Sequence, residues 1–309
     1  MVFEEENCFL KNVFMDKFYS LQSPFFQGNR LVKKLSGHSG CEILLFKNEK
    51  HLFVRKISSS VSYNDRLKKQ CIKQKRTKLA FVHTPQIYGQ GFLNDKFYFD
   101  MEYLNCRTLA ESISSLEVED IQKYIEMLFN SLSFSATRSV AGVQQIFSLK
   151  LQALVKQIST PSKEVKIALK WLEKKDFSSI QYSSCHGDLT LENILIDENK
   201  SLYLIDFLDS FYNSWLFDIA KLLQDLDVKW SFRRQKADAN RDIRLCLAKE
   251  KLLDQLRRMP NSSMLLKDIY ALLLMNLLRI FPYTKDADTL CFLNRAIAST
   301  IHTLQREQI

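Results

Sequence analysis

The stretch Cys185–Leu195, CHGDLTLENIL, sets the tightest limit on what this chain can become. His186, Gly187 and Asp188 arrive together, and Asn193 follows five residues after the aspartate, all between apolar runs. Polar groups held in an apolar frame must be paired, hydrogen-bonded or put to use. A further polar point follows, because the strand-like run Leu202-Tyr-Leu-Ile ends in Asp206 and can pair back beside the loop. Asn193 and Asp206 then present two hard oxygens to one point. Magnesium favours such a set, with waters and phosphate oxygens completing its octahedron. Asp188 stands far enough from Asn193 to face an acceptor and to take a proton from an attacking hydroxyl. His186 is expected to buttress the loop through a backbone carbonyl.

The pattern around this loop divides the chain. Leu31–Leu35, Glu42–Phe46 and Leu52–Ile57 read as short strands, Asn64 to about Lys78 as a helix capped by Asn-Asp, and Lys96–Tyr103 as another strand. Between them Pro85-Gln-Ile-Tyr-Gly-Gln-Gly breaks regularity. After Asn105, helical spacing predominates: Thr108–Ser115, Val118–Phe134, Val143–Gln157, Lys163–Lys174, Leu216–Leu226, Arg241–Arg257, Met264–Ile280 and Ala287–Leu304. In this part only Ile180–Tyr182 and Ser201–Ile205 read as strands, bracketing the loop and its short apolar run Ile194–Ile196. The expectation is an α+β chain with a β-rich lobe over residues 1–103, a larger helical lobe over 104–309, and a ligand cleft between them.

Composition narrows the setting. At 309 residues, 46% hydrophobic and 26% charged, the chain can bury a large core and shows no repeat or biased tract. The net charge of +9 admits nucleic acid, an anionic membrane or a polyanionic ligand such as a nucleotide. Its densest run, Arg66–Lys78, reads as a solvated helix face. Seven cysteines form no CxxC pair and no metal-spaced cluster, which points to reduced, mostly buried thiols and a cytoplasmic setting. The acidic opening MVFEEENCFL is unlike a signal peptide, and Ile269–Phe281, interrupted by Asn276 and Arg279, reads as a core helix. Neither membrane insertion nor a DNA partner is expected.

HGDLTLEN followed by LIDFLD resembles the signature of the aminoglycoside phosphotransferase and choline kinase superfamily, a branch of the protein-kinase-like fold. Protein kinases carry a related H-R-D-L-x-x-x-N loop and a D-F-G segment. Gly187 stands where their Arg would be, which favours the small-molecule branch. The resemblance implies a two-lobed kinase fold, ATP or GTP with Mg2+, and a small hydroxylated acceptor. By the same resemblance Ser36, Gly37, Ser39 and Gly40 form the phosphate-covering loop, and Leu52-Phe-Val-Arg-Lys-Ile presents the nucleotide-pairing lysine. Alternation puts Val54 and Lys56 on the inward face and points Arg55 away. Met101, Glu102 and Leu104 match the hinge that bonds adenine. Asp218 matches a carboxylate that braces the catalytic loop.

Two departures from that pattern stand out. The basic helix has no glutamate to pair with Lys56, and Gln70 and Gln74 are the nearest polar candidates. Leu208 occupies a place where glycine is common, leaving Asp209 as either a second metal ligand or a surface acid. For the acceptor, Asp225, Asp227 and Trp230 suit a cationic or hydroxylated ligand, whereas Arg279, with Tyr283 nearby, suits one carrying phosphate or carboxylate. The leading expectation is a small-molecule kinase. Alternatives are a kinase of protein or RNA, with Arg66–Lys78 as docking surface, and a nucleotide-binding regulator with little catalysis.

Overall fold

The computed structural model of the chain describes residues 29–35, 37, 40–49, 51–133 and 135–306. They fall into two compact units, one ending at Lys78 and resuming over Thr84–Cys106, the other comprising Leu79–His83 and everything from Arg107. The acidic opening of the chain, with Cys8, lies outside the described residues, as do Ser36 and Ser39.

In the first unit β1 (Arg30–Leu35), β2 (Glu42–Lys47), β3 (Leu52–Ile57), β4 (Ile87–Leu93) and β5 (Lys96–Glu102) form an antiparallel sheet in the order β1-β2-β3-β5-β4. One face, with Ile43, Leu45, Val54, Phe97 and Phe99, packs against Leu67 and Cys71 of helix α1 (Asn64–Arg76). The other carries Leu44, Phe46, Phe53, Ile57 and Tyr98. The run around Gly89 and Gly91 is strand, not a break. It is an edge strand, and Gly91 is needed because a Cβ there would meet the Tyr98 hydroxyl at 2.8 Å.

Asn64 does not cap α1 with its side chain. Its amide instead donates to the Asp95 carbonyl at 2.6 Å and accepts from the Phe97 amide at 2.8 Å, tying the helix start to β5. Lys69, Lys75 and Arg76 are exposed, so much of the basic run is a solvated face.

The second unit is helical around a small sheet. Its helices are α2 (Leu109–Ser112), α3 (Val118–Ser133), α4 (Val143–Gln157), α5 (Lys163–Lys174), α6 (Trp215–Leu226), α7 (Ala239–Arg257), α8 (Ser262–Ile280) and α9 (Ala287–Arg306). Caps fix their starts: Ser162 accepts from Val165, Asp238 from Arg241, and Thr108 with Glu111 forms a capping box. The run Ile269–Leu278 of α8 is buried throughout. No described helix is long and apolar enough to cross a membrane.

The sheet is β6 (Arg107–Thr108), β7 (Ile194–Ile196) and β8 (Leu202–Leu204). Ile180–Tyr182, expected as a strand, makes only an isolated bridge from Tyr182 to Arg138. The segment Leu79–His83, expected in the first lobe, belongs here because His83 donates to the Leu202 carbonyl at 2.8 Å and accepts from the Leu204 amide at 2.9 Å. Of the described cysteines, Cys41, Cys71 and Cys185 are buried, while Cys246 and Cys291 are exposed, fewer buried thiols than expected.

Candidate active site

Backbone hydrogen bonds gather the polar loop around the β7–β8 hairpin. Asn193 precedes β7, and its carbonyl accepts from the Ile205 amide at 3.1 Å, one residue before Asp206. The Asn193 side-chain NH2 donates to the Asp188 carbonyl at 2.7 Å. That bond fixes the amide orientation and leaves Oδ1 as the atom suited to a hard cation. His186, buried, donates from Nε2 to the Ile205 carbonyl at 2.7 Å and accepts the Asp188 amide at Nδ1 at 3.3 Å. Both ring nitrogens thus engage backbone, and the ring ties the loop to the end of the β7–β8 hairpin.

Gly187 has φ +94°, and a Cβ on it would lie 2.4 Å from the Leu208 carbonyl oxygen, so only glycine fits. Leu208 closes the same turn by donating to the His186 carbonyl at 3.0 Å. Asp206 itself sits at φ +61°, a left-handed conformation uncommon for a non-glycine residue. Asp209 lies just past this turn, half-buried.

Helix α6 supports the loop from beneath. Asp218, fully buried, accepts the His186 and Gly187 amides at 2.6 and 2.7 Å. One turn on, Lys221 reaches the Asp188 carboxylate at 3.0 Å. Two turns on, Asp225 accepts the Leu191 amide at 2.7 Å, together with the Ser231 amide and hydroxyl at 2.9 Å each. These residues stand at i, i+3 and i+7 on one helix, a single stripe. That spacing was available in the sequence; the partners were not, so Lys221 and the bracing use of Asp225 went unseen.

The two aspartates differ electrically. Burial pushes the Asp188 carboxyl up, but Lys221, with help from His186 and Arg279, outweighs it and holds the group below the ordinary carboxylate range. Burial pushes Asp225 up to about 6 despite its three donors.

Other expected ligand contacts take different forms. Asp225 is consumed by the backbone beneath the loop instead of facing a ligand. Asp227 pairs with Lys249 at 3.2 Å, and the Trp230 ring carries the Arg233 guanidinium at 3.8 Å. Tyr283 is 81% exposed. Arg279 lies over Phe211 at 6.0 Å and bears on Asp188. A cavity of about 440 Å³ opens between α4 and α5, lined by Phe147, Leu151, Leu172 and Phe177, and contains none of these polar residues.

In the sheet unit Lys56 is buried on the Val54 face. Arg55 points to the other face, as alternation requires, yet it is not solvated. It forms a buried pair with Asp100 at 2.7 and 2.8 Å, its guanidinium 4.2 Å from the Tyr98 ring centre. At the expected hinge the Glu102 amide donates to the Gln86 carbonyl at 2.9 Å and is therefore already engaged; Met101 is buried and Leu104 half-buried. Gln74 donates to the Pro85 carbonyl at 3.0 Å, whereas Gln70, bonded from Nε2 to the Tyr63 hydroxyl, keeps a buried Oε1 with no partner. Gly40, with φ +71°, and Gly37 are the described parts of the expected phosphate-covering loop.

The phosphotransferase enzyme family matches this chain over residues 137–256, which include the loop, β7, β8 and α6. No curated protein sequence matches the chain significantly. Among solved structures, a candidate fructosamine-3-kinase from Haemophilus somnus 129PT aligns with TM-score 0.57 at 14% identity, over 95% of this chain and 99% of the other. A thermostable mutant of aminoglycoside phosphotransferase APH(4)-Ia, in ternary complex with AMP-PNP and hygromycin B, aligns with TM-score 0.56 at 12% identity, over 93% and 97%. A candidate aminoglycoside phosphotransferase from Ralstonia eutropha JMP134 aligns with TM-score 0.56 at 13% identity, over 94% of each chain. The chain has the protein-kinase-like fold of these structures, and its residues 137–256 match the phosphotransferase enzyme family.

Proposed function

We propose that this phosphotransferase moves the γ-phosphoryl group of ATP to a hydroxyl of a small molecule, with Asp188 as the base. The observation that carries the reading is the bond network joining Asp188, Asn193 and the residue before Asp206. Asp188, kept ionised by Lys221, orients the acceptor hydroxyl and takes its proton as oxygen attacks phosphorus. The new O–P bond forms as the bond to the β-phosphate oxygen breaks, and ADP leaves. Asn193 and Asp206 would hold magnesium, and the hard oxygens fit it; the ion supplies charge neutralisation on the phosphates. Asp209 is a further candidate ligand. Lys56 would meet nucleotide phosphates, and Met101, Glu102 and Leu104 the base. Complexes of APH(4)-Ia with AMP-PNP support a nucleotide of this kind.

Calorimetry of ATP binding with and without magnesium tests the assignment. The metal should tighten binding to the wild type, and Asp206→Ala should abolish that gain. An unchanged gain in the variant removes Asp206 from the metal site.

A further inference from the structure

Lys150 on α4 and Arg279 at the end of α8 converge on one aromatic ring, the ammonium 5.7 Å and the guanidinium 6.0 Å from the centre of Phe211. Phe211 directly follows Ser210, whose hydroxyl lies 2.8 Å from where a Cβ on Gly187 would stand, so the ring belongs to the neighbourhood of the catalytic loop. Arg279 is near enough to Asp188 for its charge to act on that carboxylate. No carboxylate pairs with Lys150 among the described residues. Burial lowers the Lys150 pKa and the Arg279 charge lowers it further, which describes two like charges held together at some expense.

A pair of this kind is relieved by an anion. The acidic and aromatic set that would favour a cation is already spent: Asp225 on the Leu191 and Ser231 amides, Asp227 on Lys249, Trp230 under Arg233.

We infer that Lys150 and Arg279 form a subsite for an anionic group, phosphate or carboxylate, on the acceptor whose hydroxyl faces Asp188. Phe211, packed against Phe147 and Phe217, lies beneath both cations and holds them near the loop. The inference rests on phosphoryl transfer at Asp188 and names the substrate class for it: a hydroxylated molecule that already carries negative charge.

Inorganic phosphate is the minimal probe. Calorimetry on the full chain saturated with magnesium and AMP-PNP should detect phosphate uptake. Lys150→Met and Arg279→Met should each weaken it at least about tenfold while leaving AMP-PNP affinity unchanged. No uptake by the wild type, or unweakened uptake in both variants, overturns the subsite. Loss of AMP-PNP affinity in the variants also overturns it, by assigning the cations to the nucleotide. An ATP-turnover screen over cationic, neutral and anionic hydroxylated acceptors separates the two readings. Turnover concentrated on anionic acceptors supports the subsite, and best turnover on cationic or neutral ones overturns it while transfer survives. Turnover on no class sinks phosphoryl transfer, and the phosphate calorimetry still judges the cation pair.

Discussion

The loop 185–193 and the stretch 225–230 look alike as sequence, each setting two carboxylates among apolar residues, yet the carboxylates do different work. Asp188 pairs with a side-chain ammonium, that of Lys221, and holds a proton poorly. Asp225 meets three donors, two of them backbone amides, and is sealed from water. The difference teaches that the donors around a carboxylate, more than its neighbours in the chain, decide whether it is available for chemistry. Backbone amides use a carboxylate to hold shape. A side-chain ammonium leaves an oxygen edge open while keeping the charge.

The contrast can be broken in order of expected effect. Asp188→Asn should lower kcat by at least about 10²-fold with ATP affinity nearly unchanged; wild-type turnover in the variant removes the base. Asp218→Ala should leave two buried amides unpaired and destabilise the chain by roughly 2–5 kcal/mol, read as a lowered midpoint in chemical denaturation.

Asp225 gives a pH signature. Its folded-state pKa, about 6, lies above the ordinary 3.8. Its contribution is therefore fully present below that ordinary value and is lost as pH rises through about 6. The gap is worth roughly 3 kcal/mol, at about 1.4 kcal/mol per pH unit. Stability measured against Asp225→Asn should accordingly fall between pH 4 and 7, and a flat difference would erase the contrast.

Lys221→Met should raise the Asp188 pKa and move the acid limb of the pH–rate profile upward, with Lys221→Arg restoring it. An unmoved limb would show that the ammonium does not set the base. Tyr283→Ala, at an exposed position, should change neither stability nor turnover by more than about 0.5 kcal/mol.

Much of this was legible beforehand. Helical periodicity placed Val143–Gln157 and Lys163–Lys174 to the residue, because amphipathic spacing is a local property. The loop's spacing from His186 to Asn193 marked where polar groups gather, and the bracing partner of His186 proved to be a carbonyl. What escaped notice depended on distant partners. The Arg55–Asp100 pair joins residues 45 apart, and alternation could assign Arg55 a face without saying that the face is buried. His83 joins a sheet more than a hundred residues downstream, and Asp225 serves an amide 34 residues upstream. The strand at Gly89 and Gly91 was missed because glycine usually marks a break, and here it makes room for Tyr98.

The backbone at position 187 ties one residue's identity to the course of another segment. With the Leu208 carbonyl oxygen filling the space any side chain would need, even a methyl group at 187 would have to push the main chain at 208 aside. Exchange at this position is therefore a change in the path of the turn as much as in a side chain.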